Sequence, residues 1–296
     1  MIPDTVLDCP DWTERRTRHL ERVARIVEPH RARKAAGHSH PVHDFLFTYY
    51  SFRPRQLRRW HPGFGVALAG PGVEDYLRYT GYRSVTVEHG TVVALDRSVL
   101  EHRRDTVEFV AGLLSATASR TPQLGCFGLH EWAMVYRGGS NAVRHPQVPL
   151  RLGHSGTDAV VESMTLRCTH YDAYRFFTPA AVPRNARHLD RDSQVGSEQP
   201  GCLHAGMDLY KWAYKLAPLI DTDLVMDCLD HALAARELDM QASPYDLTGL
   251  GYVPIAVETP AGRAEYVRRQ VQLAQRAAPL RTALLERCRS LLSYPD

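Results

Sequence analysis

Asp223-Leu-Val-Met-Asp-Cys-Leu-Asp-His-Ala-Leu-Ala-Ala-Arg-Glu-Leu-Asp-Met240 decides the fold class. Its apolar residues return with the 3.6-residue period of a helix that buries one stripe. The same period runs through Met207–Lys215 before it and Ala261–Ser290 after it, and Pro218 and Pro244 supply the stops. Working outward, residues 11–36 carry Leu20, Val23, Ile26 and Val27 at helical spacing and end at Gly37. Residues 44–60 look helical, but Pro54 breaks the pattern and His61-Pro62-Gly63 closes it. A short helix at Glu74–Tyr79 precedes two β-prone runs, Ser84–Val87 and Thr91–Leu95, joined by a His89-Gly90 turn. Asp96 is placed to cap the next helix, whose buried stripe is Val99, Val107, Val110, Leu113 and Leu114. Glycine and proline make residues 121–157 loop-rich, and Ala159–Leu166 is the best strand candidate of the second half. Residues 179–200 are polar and read as a long connection, a feature that is often functional. The expectation is an α+β protein, predominantly helical, with a small β element. It is read as a single compact catalytic domain over 1–296, with 1–37 an N-terminal helical segment.

A chain of 296 residues with 44% hydrophobic and 23% charged residues can bury a substantial core. No apolar run reaches the roughly 18–20 residues of a membrane span, so no membrane partner is expected. The N-terminus lacks a basic region followed by an apolar stretch, which points to a cytoplasmic protein. Six dispersed cysteines are too few for a disulfide scaffold and read as free thiols. The net charge of +3 says little, but Arg53, Arg55, Arg58 and Arg59 fall together without an acid. Such a stripe neutralises phosphates or simply solvates a helix face. Only three lysines occur among 36 basic residues, and two of them, Lys211 and Lys215, sit one helical turn apart. A lysine can act as a point charge or as an amine nucleophile, which arginine cannot.

Three segments repeat an order of cysteine, histidine and carboxylate: Cys126 to His130-Glu131, Cys168 to His170 and Asp172, and Cys202 to His204 and Asp208. A cysteine-free version, His38 to His43-Asp44, comes earlier. Aromatic residues surround all four, a composition suited to a cleft, and the four are read as one composite active site. Glu131 directly precedes Trp132, and a carboxylate against a tryptophan in an apolar pocket gains the raised pKa of a general acid or base. Asp172 lies among Tyr171, Tyr174, Arg175, Phe176 and Phe177, which resembles the stacking faces and polar edge of a flipped-base pocket. Ordinary alternatives stand beside each reading. His130 and Glu131 can form a structural pair, Asp172 can pair with Arg175, Asp208 with Lys211, and Asp44 can cap a helix.

The segments His40–Pro54, Gly125–Tyr136, Cys168–Pro179, Gln199–Lys215 and Arg236–Leu247 resemble actinobacterial proteins labelled 3-methyladenine DNA glycosylase, over nearly the whole chain. The resemblance extends to glycosylases that defend bacteria against phage by removing glucosylated hydroxymethylcytosine. It brings no assigned catalytic residue, and the chain lacks a helix-hairpin-helix with a following catalytic aspartate. What it implies is a DNA N-glycosylase that leaves an abasic site in double-stranded DNA containing a modified base; a monomer without a cofactor or metal is expected.

N-glycosidic cleavage passes through an oxocarbenium-like state, which needs a carboxylate for charge and water, and polar contacts to the leaving base. Glu131 and Asp172 are the first candidates for that carboxylate, with Asp44 and Asp208 in reserve. His43, His130, His170 and Lys211 would contact base or phosphate. Tyr49, Tyr50, Trp132, Tyr171 and Tyr210 would stack or wedge, and Arg53, Arg55, Arg58 and Arg59 would bind backbone. The alternative is a metal-dependent hydrolase or oxygenase of a small molecule that uses the histidines, cysteines and carboxylates as ligands. No Cys-x-x-Cys or His-Glu-x-x-His motif accompanies it, and glycine-rich phosphate loops, serine elbows and dinucleotide fingerprints are absent.

Overall fold

The structure is a computed structural model and describes residues 3–88, 90–139, 145 and 147–294. Strand β1 (Thr5–Leu7) leads into α1 (Cys9–Ala35), whose N-terminus is capped by the Asp8 carboxylate, which accepts from the Asp11 amide at 3.0 Å. Two single-turn helices follow, α2 (Phe45–Tyr49) and α3 (Pro54–Leu57), then β2 (Val66–Leu68) and a 3-10 turn at Val73–Arg78. Next come β3 (Tyr82–Val87), β4 (Gly90–Leu95), α4 (Arg97–Glu101) and α5 (Arg104–Ala118). Short helices α6 (Leu129–Ala133), α7 (Gly153–Ser163), α8 (Tyr171–Tyr174) and α9 (Gln194–Ser197) occupy the middle of the chain. Three long ones end it: α10 (Leu203–Leu216), α11 (Thr222–Gln241) and α12 (Pro260–Ser293). Helix accounts for 56% of the protein, and the one sheet has four strands, so the expected class is the observed one. Among the described residues no helix is long and apolar enough to cross a membrane.

The chain resolves into two compact units. The first comprises 1–111, 210–229 and 282–296, and the second 112–209 and 230–281. The sheet belongs to the first unit and runs in the order β1-β2-β4-β3, with β1 parallel to β2 and the other pairs antiparallel. The parallel pair needs a crossover, which α1 to α3 supply. Strand alternation sends Leu7, Leu68, Tyr82, Val93 and Leu95 to one face, where they pack with Trp12, Trp60 and Tyr76; Ala67, Val92 and Ala94 take the other. The indole of Trp12 donates to the Ala69 carbonyl at 3.0 Å, so its burial leaves no orphan donor.

The three long helices and the β3–β4 hairpin stand where the apolar period places them, although the turn residue His89 lies outside the described residues. Asp96 does cap α4, accepting from the Ser98 amide at 2.8 Å. Two expectations are corrected, and the first is the strand expected at Ala159–Leu166, where α7 ends instead. Thr157, Val160 and Val161 are buried at positions i, i+3 and i+4, a helical stripe whose β-branched side chains mimic a strand. Leu166 keeps only an isolated bridge to Asn185. The helix expected over 44–60 is also corrected to the two single turns. Tyr50 and Arg53 turn extended between them, and at Arg53 the following Pro54 favours that conformation.

Candidate functional site

The site is built inside the second unit, and its entry is a sharp bend before α6. Phe127 and Gly128 both take positive φ, +50° and +72°. At Gly128 a Cβ would also stand 3.3 Å from the Cβ of Ala242 and 3.4 Å from the Tyr266 ring, so glycine is required on two counts. The bend brings the Cys126 thiol within 3.5 Å of His130 Nδ1. The other face of that ring, Nε2, lies 2.7 Å from Asp239 Oδ1. Arg236, wholly buried, donates to Asp239 Oδ2 at 2.9 Å and to Glu131 Oε1 at 2.7 Å, and its second amino group lies 3.2 Å from His145 Nε2. Arg236 and Asp239 stand three residues apart on α11, which puts them on one face.

A second histidine completes the charge pattern. His170, just before α8, has its two ring nitrogens 3.3 Å from Glu198 Oε1 and 3.3 Å from Asp208 Oδ2. Burial works to lower its pKa, but the two carboxylates outweigh that and push it up to about 10. Burial likewise opposes the proton on His130, while the charge and hydrogen bond of Asp239 hold its pKa well above the ordinary value. His204, at the start of α10, behaves in the opposite way: burial and the charge of His130 keep it well below. Its ring meets His130 edge-on with centroids 4.4 Å apart and lies nearly parallel to His170 at 5.4 Å. Two charged imidazoles thus flank a neutral one.

Cys126, His130, Cys168, His170, Cys202 and His204 all border one cavity of about 10 Å³, room for a single water or ion, closed further by Gln199, Tyr266 and Gln270. All three Cys–His–acid segments therefore meet at one centre, and the cysteine-free segment is not part of it. Burial raises the Cys168 thiol well above its ordinary pKa and pushes Cys202 up to about 12, which disfavours the thiolate at both. Among the described residues, two donor sets have ligand atoms within 4.8 Å of one another, His130–His204–Asp239 and His170–Asp172–Asp208.

The remaining candidates divide between the units. Trp132 is wholly buried with its indole donating to the Ala242 carbonyl at 2.8 Å, and Glu131 beside it sits on Arg236 rather than in an apolar pocket. Asp172 is half-buried, with Arg175 Nε 3.2 Å from its Oδ1, and Tyr171 carries the Arg191 guanidinium 5.9 Å over its ring. Asp44, His43, Tyr49, Tyr50, Tyr210, Lys211 and the four arginines belong to the first unit. There Asp44 makes no capping bond. It accepts from Arg33 Nε at 3.0 Å, faces His30 Nδ1 at 2.9 Å and accepts the His40 amide at 2.8 Å. Burial raises its pKa, but these bonds prevail and hold it at about 2. His43 meets His40 at a tilt with ring centroids 4.5 Å apart, Tyr49 stacks against Phe45 at 5.1 Å, and Tyr50 meets Tyr210 edge-on at 5.6 Å. Lys211 lies 4.5 Å over the Trp212 ring, Arg58 reaches Glu28 at 3.4 Å, Arg59 lies over Tyr79, and Arg53 and Arg55 are exposed.

Glu198, Arg236 and Asp239 were missed as site residues from the sequence. Arg236 and Asp239 left one signal, an arginine and an aspartate at i and i+3, which share one face of a helix. Glu198 left none, because an irregular segment carries it. Comparison with protein-family models, with curated proteins and with solved structures finds no match to this chain.

Proposed function

We propose that the protein is a DNA N-glycosylase that hydrolyses the bond between deoxyribose and a modified base. The observation that carries this reading is the position of Asp172. It is the half-buried member of the four candidate carboxylates, while Glu131, Asp208 and Asp44 are buried. Its carboxylate lies within 4.8 Å of the donor atoms of His170 and Asp208, which fixes it to the buried centre. Around it α8 offers what a deoxynucleotide out of the stack requires. Tyr171 and Phe176 are half-buried rings, and Arg175 and Arg191 are exposed cations beside them. The resemblance of five segments to proteins labelled 3-methyladenine DNA glycosylase supports the same chemistry.

In this mechanism the Asp172 carboxylate faces the sugar, balances the positive charge that develops as the N-glycosidic bond breaks, and orients the water that attacks. Protonated His170, clamped between Glu198 and Asp208, holds that carboxylate in its ionised form. The test is abasic-site release from methylated DNA, unmodified DNA and phage DNA carrying glucosylated hydroxymethylcytosine. Asp172→Asn is expected to lose about a hundredfold or more of the cleavage rate while keeping its melting temperature and DNA affinity. Wild-type protein that is folded yet silent on every DNA would overturn the proposal, and so would undiminished cleavage by Asp172→Asn.

A further inference from the structure

We infer that His130, His204 and Asp239 form a binding site for one divalent first-row transition metal ion, zinc by the character of its donors. Their ligand atoms lie within 4.8 Å of one another, and all three side chains are buried. Two imidazoles and one carboxylate are a donor set that such ions take in three-ligand sites with an open fourth position. The cavity of about 10 Å³ bordered by His130 and His204 offers that position to a single water.

The surroundings match what a metal's ligands need behind them. The oxygen of Asp239 not turned to His130 accepts from Arg236 at 2.9 Å, and His130 Nδ1 is held by the Cys126 thiol at 3.5 Å. Both ligands are thus oriented from the side away from the ion, as outer partners do in metal centres. His204 is the member without another task. Among the described residues its ring makes only ring contacts, with His130 and His170, and no hydrogen bond holds it. Its nitrogens are therefore available as donors to an ion. The adjustment required is small. His130 Nε2 and Asp239 Oδ1 are 2.7 Å apart, whereas two bonds of about 2.1 Å at a tetrahedral angle separate their donors by about 3.4 Å. The site stands whether or not the glycosylase reading does, since it rests on no substrate.

The experiment uses the full-length chain, stripped with a chelator and titrated with Zn²⁺ and then with Co²⁺. Calorimetry, the melting temperature and the visible cobalt spectrum are the readouts. One equivalent of zinc, a rise in melting temperature and a tetrahedral cobalt spectrum are expected. His204→Ala, which leaves the His130–Asp239–Arg236–Glu131 bonds in place, is expected to bind at least tenfold more weakly while its circular dichroism stays that of the wild type. Asp172→Asn, a change in the other donor set, is expected to bind as the wild type does. The inference fails if folded wild-type protein takes up neither ion, if His204→Ala binds undiminished, or if Asp172→Asn is the variant that loses the metal.

Discussion

Arg236 is wholly buried, and its guanidinium satisfies Glu131 at 2.7 Å and Asp239 at 2.9 Å together. Removing a buried cation strands its partners in a medium where an unpaired carboxylate is expensive. Arg236→Met is therefore expected to cost about 3–5 kcal/mol in urea denaturation, far above a typical surface change. A loss of under about 1 kcal/mol would mean that the carboxylates find water or other partners instead. The same reasoning separates two kinds of candidate. Glu131 is fixed by a structural clamp, so its substitution is read first in stability, whereas Asp172 meets an exposed arginine and solvent, so its substitution is read first in cleavage.

Among the elements, helix starts carry local signals strong enough to test singly. Asp96 closes the junction between β4 and α4 by accepting the Ser98 amide at 2.8 Å, one of the otherwise orphan donors of a helix start. It also meets Arg83 Nε at 2.6 Å, an exposed pair that adds little. Asp96→Ala is expected to lose about 1 kcal/mol, mostly from the cap, and Asp96→Asn to recover most of it because an amide oxygen still accepts. Comparable losses in both variants would assign the effect to the ion pair. The element that misled sequence reasoning, α7, shows the limit of such signals. Val160 and Val161 favour strands, yet burial of Thr157, Val160 and Val161 along one stripe outweighs that preference.

For the molecule as a whole the histidines set the response to pH. His130 and His170 have folded pKa values above the ordinary 6.5, the latter about 10. Each binds its proton more tightly folded than unfolded, so its contribution is full below pH 6.5 and is lost as pH rises through the folded pKa, about 10 for His170. Burial prevails in the opposite sense at other sites. Burial, with the nearby Arg59 and Arg276 charges respectively, lowers His61 and His231 to about 4, and His204 lies well below its ordinary value. Their contribution is full above pH 6.5 and disappears as pH falls toward 4. Asp44, held at about 2, adds a further acid loss beneath its ordinary 3.8. Stability is thus expected to peak near pH 6.5 and fall in both directions, as urea midpoints from pH 4 to 10 would reveal. In His170→Gln the alkaline limb should flatten, and a limb as steep as in the wild type would remove His170 from this account.

By itself the sequence determined the helical class, the hairpin, the Asp96 cap and the three Cys–His–acid segments, because period, turn chemistry and residue type are local quantities. It also named His130, His170, Asp172 and Asp208, which the fold of the second unit does bring together. Tertiary structure decided what surrounds them. Glu131 faces Arg236 across 105 positions of chain, His130 faces Asp239 across 109, and Glu198 reaches His170 from an irregular segment without a pattern of its own. Charge, pKa and access depend on such distant partners, so the same four residue types, alike in sequence, become a clamp, two charged imidazoles and one half-open carboxylate only when the chain has folded.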